Sequence, residues 1–142
     1  MDVMTWLVWS LLSAVFAACT AILAKKGVAG VDSSLATAVR TSVVVVFTWL
    51  LALLMRTAAP FQNFTPKTWL FLTLSGLATG LSWLCYFRAL QIGEASRVAP
   101  IDKLSVVFVI LLATLFLGEK LTVGKGVGVV LIAAGAIAIA LD

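Results

Sequence analysis

Histidine is absent from this 142-residue sequence, prolines number three and cysteines two. Without imidazole, and with Cys19 and Cys85 far apart in apolar surroundings, no set of residues has the spacing of a metal site. The two thiols are read most simply as small buried hydrophobes, uninformative about redox compartment. The commonest general acid–base side chain is missing and no nucleophile–base pairing is evident, so an enzyme is not expected. Nor is any cofactor. Charge is scarce as well: 11% of residues are charged and 63% hydrophobic, with a mean hydropathy of +1.17. A soluble domain of this length could not clothe so much apolar surface, because its outer layer must still face water. The net charge of +4 does not imply nucleic acid, since the basic residues stand mostly singly at segment ends instead of clustering on one face.

What is present is five long apolar segments, at about 5–24, 34–55, 69–90, 98–117 and 123–141. About 18 or more apolar residues suffice to cross the roughly 30 Å hydrocarbon core as a helix. The expected fold is an all-α integral membrane protein, a five-helix bundle forming one domain over 1–142. Strand-like alternation is too short for a barrel. No cationic stretch precedes the first segment, which is too long for a signal-peptide core. Between segments the punctuation is helical: Asp32, Ser33 or Ser34 can cap the second helix, and Thr65-Pro66 is an N-cap followed by proline at the first helical position. The longest loop, 57–67, carries Pro60 and Pro66. Asn63-Phe64-Thr65 matches a glycosylation acceptor, which matters only in a eukaryotic secretory setting.

Five crossings put the termini on opposite sides of the membrane. Orientation normally follows an excess of Lys and Arg in cytoplasmic loops. Arg56, Lys67, Lys120 and Lys125 fall on the N-terminal side, and Lys25, Lys26, Arg88 and Arg97 on the other, four against four. The balance predicts insertion in both orientations and an antiparallel homodimer, an inverted-repeat assembly of ten crossings. The alternative is a fixed orientation, weakly signalled by the embedded cations Arg40 and Lys103. Counted with their nearer side, they make the tally six against four.

Two runs carry a family likeness: Arg97-Val98-Ala99-Pro100-Ile101-Asp102-Lys103-Leu104, and Leu117-Gly118-Glu119-Lys120-Leu121-Thr122 followed by glycines 126 or 128 and 135. The chain resembles the EamA-type domain of the drug/metabolite transporter superfamily over nearly its whole length. Most such transporters carry two tandem five-span domains. The single domain here resembles the short members thought to pair as dimers. The resemblance implies a secondary transporter or exporter of small metabolites without ATP-binding machinery, and a setting in the inner (cell) membrane of a prokaryote is expected.

Candidate site residues follow from charge and helical spacing. Arg40 and Lys103 each lie about two turns inside the same membrane side. A charge in an apolar run is a functional-site hypothesis by default. Together they could hold a carboxylate or phosphate, Arg by bidentate bonds and Lys as a point charge. Lys103 is equally well read as a snorkelling side chain. Asp102 is the candidate for coupling proton movement, or neutralises Lys103. Ser75, Thr79, Ser82 and Tyr86 form a stripe with Trp83 and Phe87 alongside, and two further stripes, Ser10 to Ala24 and Thr37 to Thr48, recur at the same spacing. Small and hydroxylated stripes also serve helix packing. Trp83 and Tyr86 could stack on a cargo, whereas Trp6, Trp9 and Trp69 suit an interfacial belt. Gly76 with Gly80, and Gly124 with Gly128, are candidate contact faces within or between protomers. Glu119 is read as structural, setting the last turn.

The expected cargo is an anionic or zwitterionic, amino-acid-like metabolite. One rival is a small multidrug exporter of lipophilic cations, but that chemistry needs an embedded carboxylate and the first segment has none. Another is a non-transporting scaffold subunit.

Overall fold

The computed structural model describes residues 3–55 and 64–142. Arg56, Pro60 and Asn63 lie outside the described residues. Among the described residues six helices follow in order: α1 (Val3–Gly27), α2 (Ser33–Leu54), α3 (Pro66–Ile92), α4 (Ala95–Asp102), α5 (Ser105–Phe116) and α6 (Val123–Leu141). No strand occurs among the described residues. Five stretches are long and apolar enough to cross a membrane: Thr5–Gly27, Ser33–Leu54, Pro66–Ile92, Ala95–Phe116 and Val123–Leu141. The protein is a multi-pass, all-helical membrane protein. Most large apolar side chains are exposed, Trp6, Trp9 and Trp69 among them, as a chain solvated by lipid requires.

The helix starts are set by side-chain caps. Asp32 Oδ1 accepts hydrogen bonds from the Ser34 and Leu35 amides at 2.9 and 3.1 Å, satisfying two of the four free N–H groups at the head of α2. These two bonds, to Leu35 first and Ser34 second, hold the fully exposed Asp32 carboxyl below its usual value. A depressed carboxylate contributes stability above its unfolded pKa and loses it as pH falls through the folded one. Hydrogen exchange at Ser34 and Leu35 is therefore expected to quicken on acidification below the normal Asp range, after allowance for the intrinsic rate. Asp32→Ala should remove that pH dependence while leaving α6 unchanged. Thr65 and Thr122 cap α3 and α6 in the same way, through bonds from the Thr68 and Lys125 amides at 3.2 and 3.3 Å.

The fourth crossing departs from the sequence expectation of one uninterrupted helix over 98–117. It begins earlier, at Ala95, and tightens at Lys103 and Leu104 between α4 and α5. Pro100 lies inside α4, where it offers no N–H to the carbonyl four residues before it. Just beyond, three-residue bonds replace four-residue ones. Leu104 N–H donates to Ile101 O at 3.0 Å, Val106 N–H to Lys103 O at 3.0 Å and Val107 N–H to Leu104 O at 2.9 Å. Both turn residues keep right-handed angles, so the chain passes through a short 3₁₀-like segment.

The chain divides into two compact units, Met1–Lys25 with Ile92–Asp142, and Lys26–Gln91. In the first, α4 packs extensively on α6 and α5 touches α6 more lightly. Ala21 and Ala136 are buried, and Lys25 Nζ donates to Gly93 O at 2.7 Å. Between α5 and α6 the backbone turns at Gly118, whose φ of 67° suits glycine. Glu119 N–H reaches back to Ala113 O at 3.2 Å, and the Glu119 carboxylate meets Lys125 Nζ at 3.2 Å. Glu119, read in the sequence as structural, thus has a partner for both its backbone N–H and its carboxylate. In the second unit Val28, Thr37, Phe87 and Leu90 are buried, and Arg40 of α2 meets Trp83 and Phe87 of α3. Thr37 is buried without penalty because its hydroxyl donates to Ser33 O at 2.7 Å.

Candidate anion site on α2 and α3

Arg40 is the eighth residue of α2, about 11 Å along the axis from Ser33 at the helical rise of ~1.5 Å per residue. Its guanidinium carbon lies 4.2 Å from the centre of the Trp83 ring and 5.3 Å from that of Phe87. Trp83 and Phe87 are four residues apart on α3 and so share a face. The ion pairs among the described residues join Arg97 to Glu94, Lys103 to Asp102 and Lys125 to Glu119. None includes Arg40. Among the described residues its positive charge is met by aromatic rings, and no acceptor there takes the hydrogen-bond donors in the guanidinium plane.

Sites on the other predicted residues fall out differently. Lys103 Nζ lies 3.3 Å from Asp102 Oδ2, with both side chains partly exposed, at the tightened turn of the fourth crossing. It belongs to the other compact unit from Arg40. The stripe on α3 divides along the helix axis. Ser75, Thr79 and Ser82 are exposed, whereas Trp83 and Tyr86 are half-buried and Phe87 is buried. The hydroxyls of Thr41 and Thr79 donate to the carbonyls of Thr37 and Ser75, four residues back, at 2.8 and 2.9 Å. They can therefore offer a ligand only oxygen lone pairs. A Cβ added at Gly76, Gly80, Gly124 or Gly128 would meet no heavy atom within 4 Å. Among the described residues, the close approach that these glycines permit is not used inside the chain. Along the first half of α6 an open groove of about 540 Å³, lined by Leu121, Val127 and Leu131 among others, contains no charged side chain.

One element of the site was missed in the sequence. Gln91, two turns beyond Trp83, ties the end of α3 to the connection before α2. Its amide donates to Val31 O at 2.5 Å and more weakly to Val28 O at 3.5 Å, and Arg88 Nη1 donates to its side-chain oxygen at 3.1 Å. The positions 83, 87 and 91 recur every four residues, a signal that could have revealed one anchored face. Gln91→Leu is expected to remove the bond to the exposed Val31 carbonyl and cost about 0.5–1.5 kcal/mol of stability. A thermal melt of the purified protein checks this, and an unchanged midpoint would show that the latch carries no weight.

The sequence pattern of the EamA-like transporter family matches residues 4–141. A protein of Sinorhizobium sp named "Uncharacterized transporter in cobO 3'region" is 51% identical over 140 residues, spanning 96% of this chain and 97% of the relative. No solved structure matches the chain.

Proposed function

The chain belongs to the EamA-like transporter family and is a membrane transporter, and from that premise we propose that it moves a small anionic or zwitterionic, amino-acid-like metabolite by alternating access. The observation that carries this reading is Arg40 itself. A cation at the centre of a membrane helix costs about 2.5–3.5 kcal/mol. Stacking on aromatic rings returns about 0.5–2 kcal/mol, so the ring contact alone does not account for the charge. An oxyanion on the free edge of the guanidinium supplies the missing partner, and charge-assisted bidentate bonds give it orientation as well as affinity. Thr oxygens with committed protons suit the ammonium end of a zwitterion. Lys103 is a second anion contact in this reading, with Asp102 beside it as the group that couples transport to protons. The working unit is a homodimer of oppositely oriented copies in a prokaryotic cell membrane, with glycines 76, 80, 124 and 128 available to contacts between chains.

The test is flux into proteoliposomes containing the full-length protein, with small anions, zwitterions and lipophilic cations offered in parallel. Uptake of anions or zwitterions is expected. Uptake of cations alone would favour the multidrug-exporter alternative, and no flux of any cargo would favour a scaffold.

A further inference from the structure

A guanidinium carries its five N–H donors in one plane, so whatever covers its face also decides how a ligand can approach. At Arg40 that cover is Trp83, with the ring centre 4.2 Å from the guanidinium carbon. The part of α3 that carries the indole is anchored. One turn further along α3, Phe87 is 2% exposed and Leu90 is fully buried, and Gln91 is bonded to the connection before α2. Arg40, by contrast, sits on a flexible stem, and an unrestrained Arg carries about 2 kcal/mol of rotamer entropy. The ring contact restricts that freedom and leaves the N–H donors to other partners. A single spherical ion can engage only one point of the guanidinium edge, whereas two equivalent oxygens match the fork.

We propose that Trp83 is the positioning residue for Arg40, not a stacking surface for cargo, and that the site takes a terminal two-oxygen group, carboxylate or phosphoryl, edge-on in preference to a monatomic anion. This rests on the reading of Arg40 as the anion-recognising group.

The experiment uses the full-length protein with Trp6, Trp9, Trp49 and Trp69 replaced by Phe, leaving Trp83 as the only indole. In the ligand-free protein, Arg40→Gln is expected to shift the Trp83 fluorescence and resonance Raman bands. Unchanged bands would overturn the positioning contact. Acetate, inorganic phosphate and chloride are then titrated separately. At least one oxyanion should bind about tenfold more tightly than chloride, the equivalent of one strong charge-assisted bond. Acetate against phosphate tells carboxylate from phosphoryl cargo. Trp83→Leu should lower oxyanion affinity about tenfold and narrow the margin over chloride, while Trp83→Phe, which keeps a ring face, should retain most of both. In an Arg40→Gln background Trp83→Leu should have no further effect. A further loss there would mean that Trp83 stacks on the cargo and would sink the proposal. Equal binding of chloride and oxyanions overturns the edge-on preference. Cation-only flux with the Trp83 signature intact overturns the anion reading instead, so the two failures are distinct.

Discussion

Arg40→Ala is expected to lower flux of the anionic cargo by about a hundredfold or more, because two charge-assisted hydrogen bonds contribute roughly 1.5–3 kcal/mol each and every ~1.4 kcal/mol is a factor of ten. Arg40→Lys keeps the charge but loses the planar fork, and should fall between the two, roughly tenfold below the native protein when one of the two bonds is lost. Folding should survive either change. The stacking contact with Trp83 is worth about 0.5–2 kcal/mol; in the Ala variant its loss is offset by removing a charge from an apolar span, and in the Lys variant a cation remains for the ring face. The check is counterflow in proteoliposomes at matched protein content, with thermal melting and size-exclusion profiles run beside it. Native-like flux from the Ala variant with an intact fold would remove Arg40 from the site and take the anion reading with it. Loss of flux with a native melt and oligomer would also dispose of the scaffold alternative.

How much of this could be read from residues alone differs between crossings and site. The five crossings were legible because apolar run length is a one-dimensional property, and the caps at Asp32 and Thr65 are local chemistry within three residues. The tightening at Lys103 and Leu104 was not legible, although Pro100 was noticed. A proline near a helix end and one inside a helix look alike until the start at Ala95 is known. Arg40 stood out as a charge in an apolar run. That the Trp83 face would be taken by Arg40 depends on how α2 and α3 pair and on two rotamers, and neither is encoded in spacing. The hydroxyl stripe of α3 divides along its length: Ser75, Thr79 and Ser82 are exposed, while Trp83, Phe87 and Gln91 continue the four-residue period where α3 meets Arg40 and the connection before α2.

The second large effect expected concerns orientation. Removing two charges from one side should force a single topology, because orientation follows the Lys and Arg bias of the short loops and that bias is nil here apart from the embedded pair. Lys26→Gln with Arg97→Gln leaves four loop cations against two, and Lys67→Gln with Lys120→Gln leaves two against four. These positions are chosen to spare the fold. The Arg97–Glu94 pair is exposed and so contributes about 0–1 kcal/mol, while Lys25 and Lys125, which hold Gly93 and Glu119, are left alone. Reporters active only inside or only outside the cell, fused after Asp142, should both give signal in the native chain and only one in each variant. An antiparallel homodimer then requires that either variant expressed alone lose most of its flux, and that the two expressed together recover it. Signal from one reporter alone in the native chain would rule out dual topology. Full flux from a chain locked in one orientation would rule out the antiparallel pair even if both orientations occur, because no oppositely inserted copy would be present to complete the cavity.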